Sequence, residues 1–168
     1  MENTIQRSHV LRTVAIDAVL LTLALLLPVG FHAVGVNLRF LEPMRLVLLA
    51  AILFVPERKN AYIIAFILPW LSFVIIGVPM WWKAGMMSVE LIINVYLIYR
   101  FTDEKLNAGF SVLISILLAK TFYYVVKYIF IQTTILPQMP LIENIPVIVI
   151  SAIILSAMFH VICIIKKQ

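Results

Sequence analysis

The chain has 168 residues, 64% of them apolar or aromatic and only 12% charged, with a mean hydropathy of +1.09. Soluble domains hold about 45–50% apolar and about 25% charged residues, so a soluble globular protein is excluded. The formal net charge of +5 comes from basic residues scattered singly between apolar runs. They form no basic stripe with interleaved aromatics, so nucleic acid is not an expected partner.

A bilayer span takes about 20 residues, so this length accommodates about six spans and leaves no room for a water-exposed domain. In chain order the hydropathic segments cover 13–30, 40–55, 61–76, 86–101, 107–130 and 145–165. The first follows Arg7 and Arg12 without a small-residue cleavage site and is read as a retained helix, not a signal peptide. The second is short unless Phe40 to Met44 belongs to it. Turn chemistry separates the rest: Pro56-Glu57-Arg58-Lys59-Asn60, Gly77-Val78-Pro79, Thr102-Asp103-Glu104-Lys105, and a stretch holding Pro137, Pro140 and Pro146.

Lys and Arg in short loops set the orientation. With the N-terminus inside, the cytoplasmic side collects Arg7, Arg12, Arg58, Lys59, Arg100, Lys105, Lys166 and Lys167. The outer side then has Arg39, Arg45 and Lys83, with Lys127 at the outer end of helix 5. The expectation is an all-α integral membrane protein of the cell membrane: about six transmembrane helices in one compact bundle, a single domain over 1–168, both termini cytoplasmic. The outer loops collect His32, Arg39, Met44, Met80, Trp81, Trp82, Pro137, Met139 and Pro140, so a recognition surface faces outward.

Several functions lack their residues. There is no GxxxxGK[ST] or GxGxxG loop for a nucleotide, no HExxH or GxSxG, and no Cys/His cluster with zinc spacing; Cys163 is the one cysteine. Neither enzymatic activity nor a cofactor is expected.

Intramembrane charges are costly, about 2.5–3.5 kcal/mol each on insertion scales, and Asp17, Glu90, Lys120 and Lys127 each need a reason. Helical spacing sets Lys83, Met86 or Met87, Glu90, Asn94 and Leu97 on one stripe descending from the outer surface. Glu90 has two open readings, an ion pair holding helices together or a polar anchor in a ligand cavity. Lys120 and Lys127 are seven residues apart and share a face with Tyr123 or Tyr124 between them; Lys127 is placed to snorkel outward. Asp17 is read as locally paired. Trp81 and Trp82 suit an aromatic belt, whereas Trp70 follows Pro69, whose missing N–H kinks a helix and opens room beside it. Ala61 and Ala65, and Ala152 and Ser156, are spaced for close helix contact with either a neighbouring helix or a partner. The predicted site is an outward-opening cavity lined by His32, Met44, Arg45, Trp70, Trp81, Met87, Glu90 and Asn94, an aromatic and thioether wall with few convergent charges.

Three runs carry a family likeness: Leu26-Leu27-Pro28-Val29-Gly30-Phe31-His32, Leu41-Glu42-Pro43-Met44-Arg45-Leu46, and Leu68-Pro69-Trp70-Leu71-Ser72 through Gly77-Val78-Pro79-Met80, followed by Met87-Ser88-Val89-Glu90-Leu91. Over about Ala24 to Tyr99 the chain resembles the substrate-binding S component of energy-coupling factor (ECF) vitamin transporters. Arg45 stands where similar proteins often have His, Glu42 is an extra residue in the turn, and Trp70 replaces a Leu. The resemblance implies capture of a micronutrient, itself a vitamin or cofactor precursor, near the outer face. It also implies a separate module of an ECF coupling membrane protein and two ATPase subunits. A structural membrane scaffold of envelope biogenesis, without a ligand, is the alternative; it leaves the outward convergence of aromatic, Met and ionisable residues without a reason.

Overall fold

The computed structural model describes residues 14–16, 18–23, 26, 42–55, 57–133 and 145–167. Every regular element among them is helical: α1 (Val14–Leu23), α2 (Pro43–Phe54), α3 (Arg58–Ile76), α4 (Trp81–Asp103), α5 (Ala108–Gln132) and α6 (Ile145–Lys167). At about 1.5 Å per residue, α3 to α6 each approach or exceed the thickness of a bilayer's hydrocarbon core, and these four are long and apolar enough to cross a membrane. Helix α2, with 12 residues, is about 18 Å long and does not reach across.

Local chemistry sets these boundaries. Helix α2 starts at Pro43, not at residue 40, because a proline needs no N–H partner at the first helical position and its φ is already helical. It stops before Val55, held extended (φ −100°, ψ 119°) by the following Pro56. Helix α3 ends at Gly77 in the left-handed region (φ 78°), whose N–H donates to the Phe73 carbonyl. Helix α4 begins at Trp81, five residues before the sequence expectation. Past Pro79 nothing opposes a helix, and Ala84 N–H closes the first turn on Met80 O at 2.8 Å. Its far end runs to Asp103, through residues expected as a turn.

Sequential helices α3, α4, α5 and α6 pack side by side, and α2 closes the ring by touching both α3 and α6. One core cluster joins Leu20 of α1 to Leu48 and Ala51 of α2, Ala61, Ala65 and Leu68 of α3, and Val95 of α4. A second joins Leu49, Ile98, Ile116, Ala152 and Leu155 across α2, α4, α5 and α6. Both small-residue pairs therefore serve contacts within the chain. Ser156 Oγ donates to Gly109 O at 2.6 Å, and a Cβ at Gly109 would stand 2.9 Å from that of His160, so only glycine permits this approach of α5 and α6. Pro69 leaves the Ala65 carbonyl without its usual donor, and from α4 Ser88 Oγ donates 2.9 Å to the neighbouring Phe66 carbonyl. Outward faces are apolar, with Phe66, Val74, Phe110, Val125 and Val161 all exposed, as suits a lipid solvent.

The bundle's two ends differ. Where α2 and α4 end and α3 begins, Arg58 forms a bidentate pair with Asp103 (2.7 and 2.8 Å) and lies over the Tyr99 ring, and Lys166 Nζ donates to Leu53 O at 2.6 Å. The opposite end gathers Glu42, Arg45, Lys83 and Lys127 around an open space.

Candidate functional site

At the end where α2, α4 and α6 start and α5 finishes lies a cavity of about 640 Å³. Glu42, Pro43, Met44 and Arg45 supply one wall; Lys83, Met87, Glu90 and Leu91 of α4 another. Lys120, Tyr123, Tyr124 and Lys127 of α5 form the third, and Val78, Val147 and Ile148 also line the cavity.

Four charges interlock on these walls. Arg45, 2% exposed, places Nη2 on Glu90 Oε1, and Glu90 is itself 3% exposed. Lys120 Nζ approaches the same Oε1 at 3.2 Å, so one carboxylate from the middle of α4 serves cations from α2 and α5. Glu42 lies across both, 2.8 Å from Arg45 Nη1 and 3.6 Å from Lys120 Nζ. Although it occupies the N-cap position of α2, its carboxylate caps no helix N–H and turns to these cations instead. Its backbone sits in the left-handed region (φ 37°), which costs a side chain with a Cβ some strain. Lys120 Nζ also lies 5.5 Å from the Tyr123 ring centre, within cation–π range.

Satisfaction of these groups is incomplete. Arg45 Nη1 is close to Glu42 but not aligned for a hydrogen bond, and Arg45 Nε has no acceptor among the described residues. Asn94 Nδ2, one turn further into the bundle, is likewise buried without an acceptor among them. Native proteins leave few buried donors in that condition.

Beside this cavity, and sharing Tyr123 with it, a smaller groove of about 370 Å³ is walled by Trp70, Trp81, Trp82, Met86, Phe122 and Phe130. Trp70 lies close enough to α4 that its Cζ2 is 3.6 Å from where a Cβ of Gly85 would be.

The eight residues predicted from sequence are thus distributed unequally. Met44, Arg45, Met87 and Glu90 are together on the charged cavity. Trp70 and Trp81 line the neighbouring apolar groove, Asn94 lies buried without lining either, and His32 is outside the described residues. Lys127, read as snorkelling outward, is only 4% exposed and lines the cavity. Glu42 and Lys120 were absent from the predicted set. The signal for Glu42 was its three-residue spacing to Arg45, one helical turn; for Lys120 it was the shared face with Lys127. No group of three His, Cys, Asp or Glu among the described residues could hold a metal ion.

No family model, no curated protein and no solved structure matches this chain. The class the fold defines is a helical bundle with, among the described residues, four membrane-length apolar helices and a charged cavity at one end.

Proposed function

We propose that the chain is a membrane-embedded substrate-capture protein, acting as the S component of an ECF-type micronutrient importer. One observation carries the reading: four ionisable side chains from three separate segments, paired with one another, line an open cavity. Its volume lies within the roughly 300–1,000 Å³ usual for small-molecule sites. An ion-pair cluster serving only to hold helices gains nothing from an adjoining void, since a void forfeits packing. Resemblance to ECF substrate-binding components supplies the rest of the proposal, namely a coupling membrane protein and two ATPase subunits that energise release.

We orient the cavity outward, with both termini in the cytoplasm. At the far end of the bundle Arg58, Lys59, Arg100, Lys105 and Lys166 gather, as expected for a cytoplasmic face of the cell membrane. In a Cys163→Ser background, Arg58→Cys and Asp103→Cys should react with a membrane-impermeant thiol reagent only after the membrane is opened. Met80→Cys, 62% exposed before substitution, should react in intact cells. Labelling of position 58 from outside would reverse the orientation.

Capture is tested by purifying the chain from its native membrane into phosphatidylcholine nanodiscs and identifying what it retains by mass spectrometry. One small molecule in near-stoichiometric amount is expected, and its amount should fall in Lys120→Gln. A correctly folded preparation that retains none, and that no extract of small metabolites stabilises against heat, would return the chain to the scaffold alternative.

A further inference from the structure

We propose, resting on the small-molecule reading of the cavity, that the ligand is held by an acidic group, a carboxylate or phosphate, docking on Arg45 and Lys120 in place of the Glu42 carboxylate. Charge arithmetic on the cavity walls is the first reason. Glu42 and Glu90 balance Arg45 and Lys120, and Lys83 on the same walls adds a further positive charge to the described lining. Cations at membrane depth are ordinarily matched by anions, so a positive cavity favours an anionic guest.

Arg45 gives the second reason. A guanidinium is a planar fork that receives a carboxylate or phosphate through two parallel donors. Here Nη2 is taken by Glu90, while Nη1 is unaligned and Nε is without an acceptor among the described residues, on a side chain only 3% exposed. Nη1, which faces Glu42, is the donor an incoming acid would take in Glu42's place, on the fork that Nη1 shares with Nη2.

The two carboxylates are not equivalent, which is the third reason. Glu90 is fixed within α4 and 3% exposed. Glu42 stands ahead of the first turn of α2 with a side chain 21% exposed, and its approach to Lys120, at 3.6 Å, is longer than Glu90's at 3.2 Å. Glu42 is therefore the displaceable anion, occupying the cations until a ligand acid replaces it. Removing its charge should strengthen acid binding; if Glu42 itself gripped the ligand, the same change would weaken it.

An acid of this kind has two sources, a solute from the water or the headgroup of an anionic phospholipid. The full chain in phosphatidylcholine nanodiscs is titrated with 1-naphthoate, with its neutral analogue 1-naphthamide, and with inorganic phosphate. Naphthoate or phosphate is expected to bind, and naphthamide at least about tenfold more weakly than naphthoate, the loss of one charge-assisted contact. Glu42→Gln should tighten the acid about tenfold or more, and Arg45→Gln or Lys120→Gln should weaken it by a similar factor. Should Arg45→Gln fail to fold, the Glu42 and Lys120 variants, both less buried, carry the test. Repeating the titration with phosphatidylglycerol in the discs separates the sources. Competition with naphthoate identifies a lipid headgroup, and unchanged affinity identifies a solute; either upholds the acid. Equal binding of naphthoate and naphthamide, weaker acid binding in Glu42→Gln, or a retained native compound without an acidic group would overturn this inference while leaving the small-molecule site standing. Failure of all three probes together with the absence of any retained compound would remove both.

Discussion

Glu90→Ala should lower the stability of the folded chain by about 3–5 kcal/mol, the usual result of removing one partner from a buried ion pair. Its carboxylate oxygen serves both Arg45 and Lys120, and without it the one carboxylate among the described residues left to the two cations is Glu42, at 2.8 and 3.6 Å. Arg45 is 2% exposed and cannot recover its loss from water without opening the bundle. For a chain of this length such a loss corresponds to a fall of about 6–20 °C in the midpoint of thermal unfolding, measured in nanodiscs. Glu104→Ala is the matched control. It also breaks an ion pair, with Arg100 at 3.0 Å, but both side chains are about half exposed, and its midpoint should stay at that of the parent. A Glu90→Ala midpoint as high as the control's would show that the cluster does not hold α2, α4 and α5 together.

Parts of this arrangement were legible in the sequence because charge is rare in an apolar helix. Glu90, Lys120 and Lys127 stood out, and turn chemistry at Pro56, Gly77 and Pro79 located the ends of α2 and α3 within a few residues. Rotation of each helix about its axis was not legible. In a membrane helix both the packed and the lipid-facing sides are apolar, so no amphipathic pattern distinguishes Leu68, 1% exposed, from Val74, 75% exposed. That is why Trp70 and Trp81, expected on the charged cavity, lie on the groove beside it. The partner of Glu90 was equally invisible. Arg45 is 45 positions away on a helix too short to span, where the chain reads as a loop entering a helix. Glu42, which the sequence marked only as an extra residue in that turn, acquires its meaning from the cations it faces.

The double variant Arg45→Met with Glu90→Met should recover most of the stability lost in Glu90→Ala and still bind no acid tightly. Replacing both members of a buried ion pair by apolar side chains of similar size is often neutral or stabilising, because two desolvation costs disappear with one attraction. In this chain the replacement also leaves the other two members of the four-charge cluster paired, Glu42 with Lys120 at 3.6 Å. Met is the suitable substitute, being unbranched and adaptable, and Met44 and Met87 already line the same walls. Binding should not recover, since the guanidinium that offers Nη1 to a ligand is gone; affinity for naphthoate should remain about 10- to 150-fold below the parent's. Thermal midpoint and affinity measured on the same preparation therefore separate what the pair does for the fold from what Arg45 does for a ligand. A double variant no more stable than Glu90→Ala would mean that the geometry of the pair, not the stranded charge, sustains the bundle. Acid bound with parental affinity would remove Arg45 from the site and leave Lys120, with Lys83 and Lys127, as the cations that recognise it.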